Sequence, residues 1–316
     1  MITPSLRRKF IKDNGLPIPS VEDEQFKYFM ALYDPVFNCI SKYKLFVDTV
    51  TACGGESGYS AQVVKFIECM VEAISSTESF RNLSKMGKNS DYVAQNVISS
   101  KDIYHADFAD FTMISVDLRS ANFHALQSFD ESIVLGASSY EELAYMFTNY
   151  QYIAENKQLR QTVFGKCAPT KQVQIQKVHL QQLCDNILRE YPYFELTLMG
   201  SDELIVTSYG DLSPIDAWLR VKDCIPSTDH IKAEIFTLRQ IHPDRHYFTK
   251  IPWILKGEED SDIYSVDGYL PPVFKSVPGI FFAQVYKKFF DMEIVEDDLV
   301  FVHEGIPAKF TKSIYE

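Results

Sequence analysis

The chain has 316 residues, 46% of them hydrophobic and 23% charged, with 31 basic and 43 acidic side chains and a formal net charge of -12. Its length suggests about two domains of ~150 residues, and its composition is globular, which excludes a disordered chain or a coiled coil. No apolar run reaches the ~20 residues that span a bilayer, and the basic start at Arg7, Arg8 and Lys9 has no apolar stretch behind it, so it does not read as a signal peptide. Six scattered cysteines without Cys-x-x-Cys or Cys/His spacing exclude structural zinc and a disulfide framework, and fit a reducing cytoplasm.

The first hundred residues read as helices. Ser20 is the expected N-cap of a helix with Glu22, Asp23 and Glu24 in its first turn. Apolar residues at helical spacing (Phe26, Phe29, Met30, Tyr33) carry it to Asp34-Pro35, where the run should break. A second helix runs to Gly54-Gly55. A third is predicted over Ala61 to Ile74, burying Val64, Phe66, Ile67, Met70, Val71 and Ile74. Phe111 to Val116 is rich in strand formers and predicts a strand ending at Asp117. Helical signals return over Tyr140 to Phe164 and again over Val173 to Glu190. Two hairpins follow. Phe194 to Leu198 pairs with Leu204 to Thr207 around Gly200-Ser201-Asp202, and Ile231 to Ile241 pairs with His246 to Ile251 around His242-Pro243-Asp244. One helix, Ile280 to Phe290, stands out near the C-terminus. The expected fold is α+β, an antiparallel sheet with packed helices.

The acidic balance argues against a nonspecific nucleic-acid coat, but charge is unevenly placed. Between Asn156 and Cys184 there is no acid, and Lys157, Arg160, Lys166, Lys171 and Lys177 are basic. Acids gather late, at Glu258, Glu259, Asp260, Asp262 and Asp267 and again from Asp291 to Glu304. A basic window in an acidic chain is a place for a bound phosphate, although a solvated helix face has the same pattern.

Two carboxylates mark the ends of predicted strands. Asp117 closes the first strand, and Asp202 sits in the turn of the first hairpin, followed by Glu203. Carboxylates on adjacent strands suit in-line phosphoryl transfer, in which a pair of divalent ions holds the attacking and leaving oxygens. Between them, Lys157, Gln161 and Phe164 fall on one face of a helix at i, i+4 and i+7, with Arg160 beside them and Gly165 ending the run. Cations there would hold a triphosphate, and the ring would stack a base. His242 and His246 have the separation of helical zinc ligands, but Pro243 argues against a helix.

In order and spacing these segments resemble family B DNA polymerases. Asp117-Leu-Arg-Ser120-Ala-Asn122 resembles motif A, Lys157-Gln-Leu-Arg-Gln161-Thr162-Val-Phe164-Gly165 resembles motif B (K-x-x-x-N-S-x-Y-G), and Met199-Gly-Ser-Asp202-Glu-Leu-Ile-Val206 resembles motif C. The first Asp of motif C is replaced by Gly200, the stretch between motifs A and B is short, and no proofreading carboxylate motifs precede them. The resemblance implies a palm-type sheet over 109–252 with reduced fingers, a helical N-terminal region over 1–108 and a thumb-like part over 253–316.

It further implies a nucleotidyltransferase with two magnesium or manganese ions held by Asp117, Asp202 and the Leu118 carbonyl, with Glu203 assisting. Ser120, Asn122, Lys157, Arg160, Gln161, Phe164 and Gly165 would bind nucleotide. Asn122 stands where the family carries an aromatic sugar gate, which implies tolerance of ribonucleotides. The implied partners are nucleoside triphosphates, a primer and template, and proteins of replication or transcription, with no membrane. The implied place of action is the cytoplasm, that of a host cell if a virus or phage encodes the chain. Asp202-Glu203 also resembles the Ser-Asp-Glu of tRNA-histidine guanylyltransferases, so a tRNA-end or signalling nucleotidyltransferase is the second expectation. A catalytically dead palm serving a replication complex is the third.

Overall fold

The computed structural model describes residues 2–87, 103–208, 211–226, 230–257, 263–303 and 306–316. Glu258, Glu259, Asp260, Asp262 and Glu304 of the acidic clusters lie outside the described residues. The chain divides into two units interleaved in sequence, the first Met1–Val71, Ala144–Val163 and Ser276–Glu316, the second Glu72–Leu143 and Phe164–Lys275.

Helix α1 (Pro4–Asp13) is opened by Thr3, whose hydroxyl accepts from the Leu6 amide at 3.2 Å, and by proline at a position where no N–H is needed. Helix α2 (Asp23–Phe37) has Glu22 at its N-cap instead of Ser20, whose hydroxyl accepts from the Glu22 amide just outside the helix. Pro35 does not break α2. The helix runs on to Asn38 in the left-handed region, and the Asp34 carboxylate accepts from the Ile40 amide at 2.7 Å as α3 (Cys39–Ala52) begins. Gly54 and Gly55, both at positive φ, separate α3 from α4 (Glu56–Ser76). The buried stripe of α4 is Tyr59, Val63, Phe66, Met70 and Ile74. Val64, expected inside, is 52% exposed because it lies beside that stripe. Helix α5 (Glu78–Lys85) follows, capped by Thr77.

Strand β1 (Thr112–Leu118) runs one residue past its predicted end and leads into α6 (Ala121–Phe129). The helical stretch expected over Tyr140 to Phe164 is three short helices, α7 (Tyr140–Tyr145), α8 (Gln151–Ala154) and α9 (Lys157–Gly165), the last capped by the Asn156 side chain on the Leu159 amide at 3.0 Å. Then come α10 (Pro169–Glu190), β2 (Phe194–Met199), β3 (Glu203–Ser208), α11 (Pro214–Asp223), β4 (Ile231–Gln240), β5 (Phe248–Gly257), β6 (Tyr264–Tyr269), β7 (Val273–Lys275), α12 (Phe282–Phe289), β8 (Val300–His303) and β9 (Ile306–Lys309).

The fold is α+β, as expected. In the second unit the described strands form an antiparallel sheet in the order β2-β3-β1-β4-β5-β6, with β7 also on β5. Its back face (Ile114, Val116, Leu204, Val206) packs against Leu180, Leu183 and Ile187 of α10 and Val221 of α11. Period-two alternation sends the intervening residues forward, where Met113, Ile205, Phe236 and Leu238 pack with Ile103, Tyr104 and Phe108. The apolar cover therefore takes one end of the front face and leaves the other to polar residues.

The first unit has an aromatic core. Phe46 touches Phe10, Tyr59 and Tyr152, while Tyr33 meets Phe282 and Tyr286 of α12. Close by lies a buried ion pair. Asp298, fully buried, accepts from the Tyr28 hydroxyl and the Val295 amide at 2.8 Å each, with the Lys287 ammonium 3.3 Å away. Lys287 also donates to the Glu293 carbonyl at 3.0 Å. Removing one member strands the other without water. Asp298→Ala should therefore cost about 3–5 kcal/mol, read as a lower urea midpoint. Lys287→Met should also be destabilising, since it strands the Asp298 carboxylate, though less so because the Tyr28 hydroxyl and the Val295 amide still donate to it. Equal, small effects of the two would show that the pair is solvated.

Candidate active site

Directly opposed residues of an antiparallel pair share one face of the sheet. Strand β1 is flanked by β3 and β4, and the register sets Asp117 opposite Glu203 on one side and Lys232 on the other, with Ser115 opposite Glu234. The polar end of the front face is thus a cluster of Ser115, Asp117, Glu203, Lys232 and Glu234. The β2–β3 turn adds Asp202. The Gly200 amide donates to the Glu203 carbonyl at 2.7 Å, and the Leu118 amide donates to the Asp202 carbonyl at 2.9 Å, which seats the turn beside the end of β1. The structure thereby brings together the three carboxylates that sequence singled out, from positions up to 86 residues apart (203 − 117).

The two opposed carboxylates differ electrostatically. Asp117 is pushed up to about 6, first by burial and then by the charges of Asp202, Glu203 and Glu234, which outweigh the pull of Lys250. Burial also raises Glu203, but the charge and hydrogen bond of Lys250 and the Ser115 hydroxyl, donating at 2.7 Å, leave it below its ordinary value. Lys250 is ion-paired with Glu203, and its ammonium lies 4.3 Å from the centre of the Phe236 ring. Glu203, the first residue of β3 after the hairpin turn, stands directly opposite Asp117. Lys250 and Ser115 carry no local motif, and only strand pairing reveals them.

Ser120 occupies the N-cap position of α6 at φ 43°, a left-handed conformation uncommon for serine. Asn122 lies inside α6, and its side-chain oxygen accepts from the Gln176 side-chain amide of α10 at 2.8 Å. Phe164 is a correction. It is fully buried, its ring centre 5.9 Å from that of Tyr140, and it offers no face to a base, because its side of α9 packs into the core of the second unit. Gly165 closes α9 at the surface. Lys157, Arg160 and Gln161 belong to the first unit, where exposed Lys157 and Gln161 line a cleft of about 570 Å³. His242 uses Nδ1 to accept from the Asp244 amide at 3.1 Å within its turn.

Among the described residues no group of three or more His, Cys, Asp and Glu side chains is arranged to hold a metal ion. The donors expected at Asp117 are its own carboxylate, that of Asp202 and the Leu118 carbonyl. All are hard oxygens, the set that magnesium takes when water and phosphate fill its remaining positions. Asp117 is raised first by burial and then by neighbouring negative charge, and a divalent cation would relieve the second. Compared with protein-family models, with curated proteins and with solved structures, the chain matches none.

An acid whose value is higher in the folded state than in the unfolded chain destabilises the fold when ionised. For Asp117 that penalty is absent below about pH 4, grows as pH rises to about 6 and is full above it. Asp117→Asn should therefore raise the melting temperature at pH 7.5, by the equivalent of about 2 kcal/mol for this half-buried group. The gain should shrink as pH falls toward 4. An Asn variant no more stable than wild type at pH 7.5 would show that Asp117 is not crowded.

Proposed function

We propose that the second unit carries a palm-type nucleotidyl-transfer centre and that the chain is a compact template-directed polymerase without proofreading. The observation that supports it most is the placing of Asp117 and Asp202 together at the polar end of the sheet, where burial and the charges of Asp202, Glu203 and Glu234 bear on Asp117. Asp117, Asp202 and the Leu118 carbonyl would hold magnesium or manganese. The ions, when bound, would align the attacking and leaving oxygens and carry developing negative charge. Glu203, held by Lys250 and Ser115, would assist from its place opposite Asp117. No protein nucleophile is needed, because the attacking group is a primer 3′-hydroxyl. Asn122 puts an amide where the family has a ring, which removes the steric bar to a ribose 2′-hydroxyl.

The catalytically dead palm is supported by one observation of its own, the glycine at position 200 where motif C carries its first Asp. Extension of a labelled primer, with ribo- and deoxynucleotides in separate reactions, distinguishes the readings. A polymerase copies the template, and a tRNA-end or signalling enzyme adds nucleotide without regard to it. A dead palm binds primer–template and adds nothing. For the polymerase, Asp117→Asn and Asp202→Asn should each lower incorporation by about a hundredfold or more with the fold retained. Near-wild-type turnover in either variant would remove the metal assignment.

A further inference from the structure

The first unit holds a cleft that Lys157 and Gln161 of the motif B segment share with residues outside the three motifs. Its walls bring together three segments distant in sequence, the end of α1 at Asn14, α3 at Lys42 and the start of α9 at Lys157 and Gln158. Its volume of about 570 Å³ lies within the range of small-molecule sites. Lys42 and Lys157 both line it, and neither has an ion-pair partner among the described residues. At the start of α9, Asn156 uses its side-chain oxygen to cap the Leu159 amide. That leaves the amides of the first two helical residues, Lys157 and Gln158, without an intrahelical acceptor at the positive end of the helix.

Two carboxylates share the cleft, and both are already engaged. Asp13, only 7% exposed, is held by Lys9 at 3.1 Å. Glu155 accepts from the Tyr145 hydroxyl at 2.9 Å and from the Gln151 side-chain amide at 3.2 Å, one bond to each oxygen. What is left to recognise a ligand is two ammonium groups, a helix N-terminus and neutral amides, the donor set that binds phosphate.

We propose that this cleft binds the phosphate groups of a nucleotide, with Lys42 of α3 as a phosphate ligand beside Lys157. The proposal shares Lys157 with the transferase reading and rests on it only for the nature of the nucleotide. Lys42 is new, since nothing in the three motifs marks the N-terminal helices as part of a nucleotide site. The two sources of such phosphates are a free nucleoside triphosphate and the backbone of a single strand.

The test is calorimetric titration of the full chain in magnesium-free buffer with three probes, inorganic triphosphate, ATP and a short single-stranded oligonucleotide. Wild type is compared with Lys42→Ala, Lys157→Ala and, as a control on the exposed side of α4, Lys65→Ala, each checked for fold by circular dichroism. Lys42→Ala and Lys157→Ala should each weaken triphosphate and ATP binding by about fivefold or more, and Lys65→Ala by less than about twofold. Dependence on Lys42 for the oligonucleotide alone would still place phosphate in the cleft and make the strand its source. Lys42→Ala behaving like Lys65→Ala with every probe, or no binding by wild type, would overturn the proposal. Repeating the titration on Asp117→Asn separates the two readings. Binding that needs Lys42 and persists in that variant stands even if no primer is ever extended, and loss of the Lys42 effect leaves the transferase reading untouched.

Discussion

Strand β1 is hydrogen-bonded on both sides, and this constraint organises the second unit. A strand paired with β3 and β4 at once cannot slip by one residue, because a slip would turn Ile114, Val116 and Leu118 from the helix-packed back face to the front. The burial of those three apolar side chains therefore holds Ser115 and Asp117 forward. It also dictates which residues of the neighbouring strands stand beside Asp117. The polar cluster is a consequence of hydrophobic register.

Within that cluster, two acids set opposite each other have opposite fates. Glu203 lies within reach of the Lys250 ammonium and the Ser115 hydroxyl, so its negative charge is matched locally. Asp117 has like charges for neighbours and is half out of water, so its ionised form is the costly one. A fold selected for stability alone would place an amide at such a position. Pairs of titratable groups whose surroundings drive them apart are more common where chemistry is done than in structural ion pairs, although networks of the second kind also occur.

The first unit treats charge differently. Asp298 and Lys287 are buried together and satisfied by a tyrosine hydroxyl, a backbone amide and a backbone carbonyl, an arrangement that ties α2, α12 and the segment before β8 to one another. Around the cleft the acids are likewise occupied, by Lys9, Tyr145 and Gln151. Lys42 and Lys157, which also line it, have no ion-pair partner among the described residues.

Much of the architecture could be read from sequence. Periodicity located the hairpins, the long α10 and β1, because burial of one face writes its period into the chain. The errors fell where local signals compete with tertiary packing. Pro35 was tolerated because it sits in the last turn of α2, and Phe164 was taken from the exposed face of α9 by the core around Tyr140. Sequence by itself named Asp117, Asp202 and Glu203, since turn chemistry and strand ends are local properties. Which of them share a face, that Lys250 and Ser115 stand with Glu203, and that Lys42 meets the start of α9 in one cleft were decided only by the tertiary structure. Those relations link residues far apart in the chain, and strand register and helix packing, which no local pattern encodes, are what bring them together.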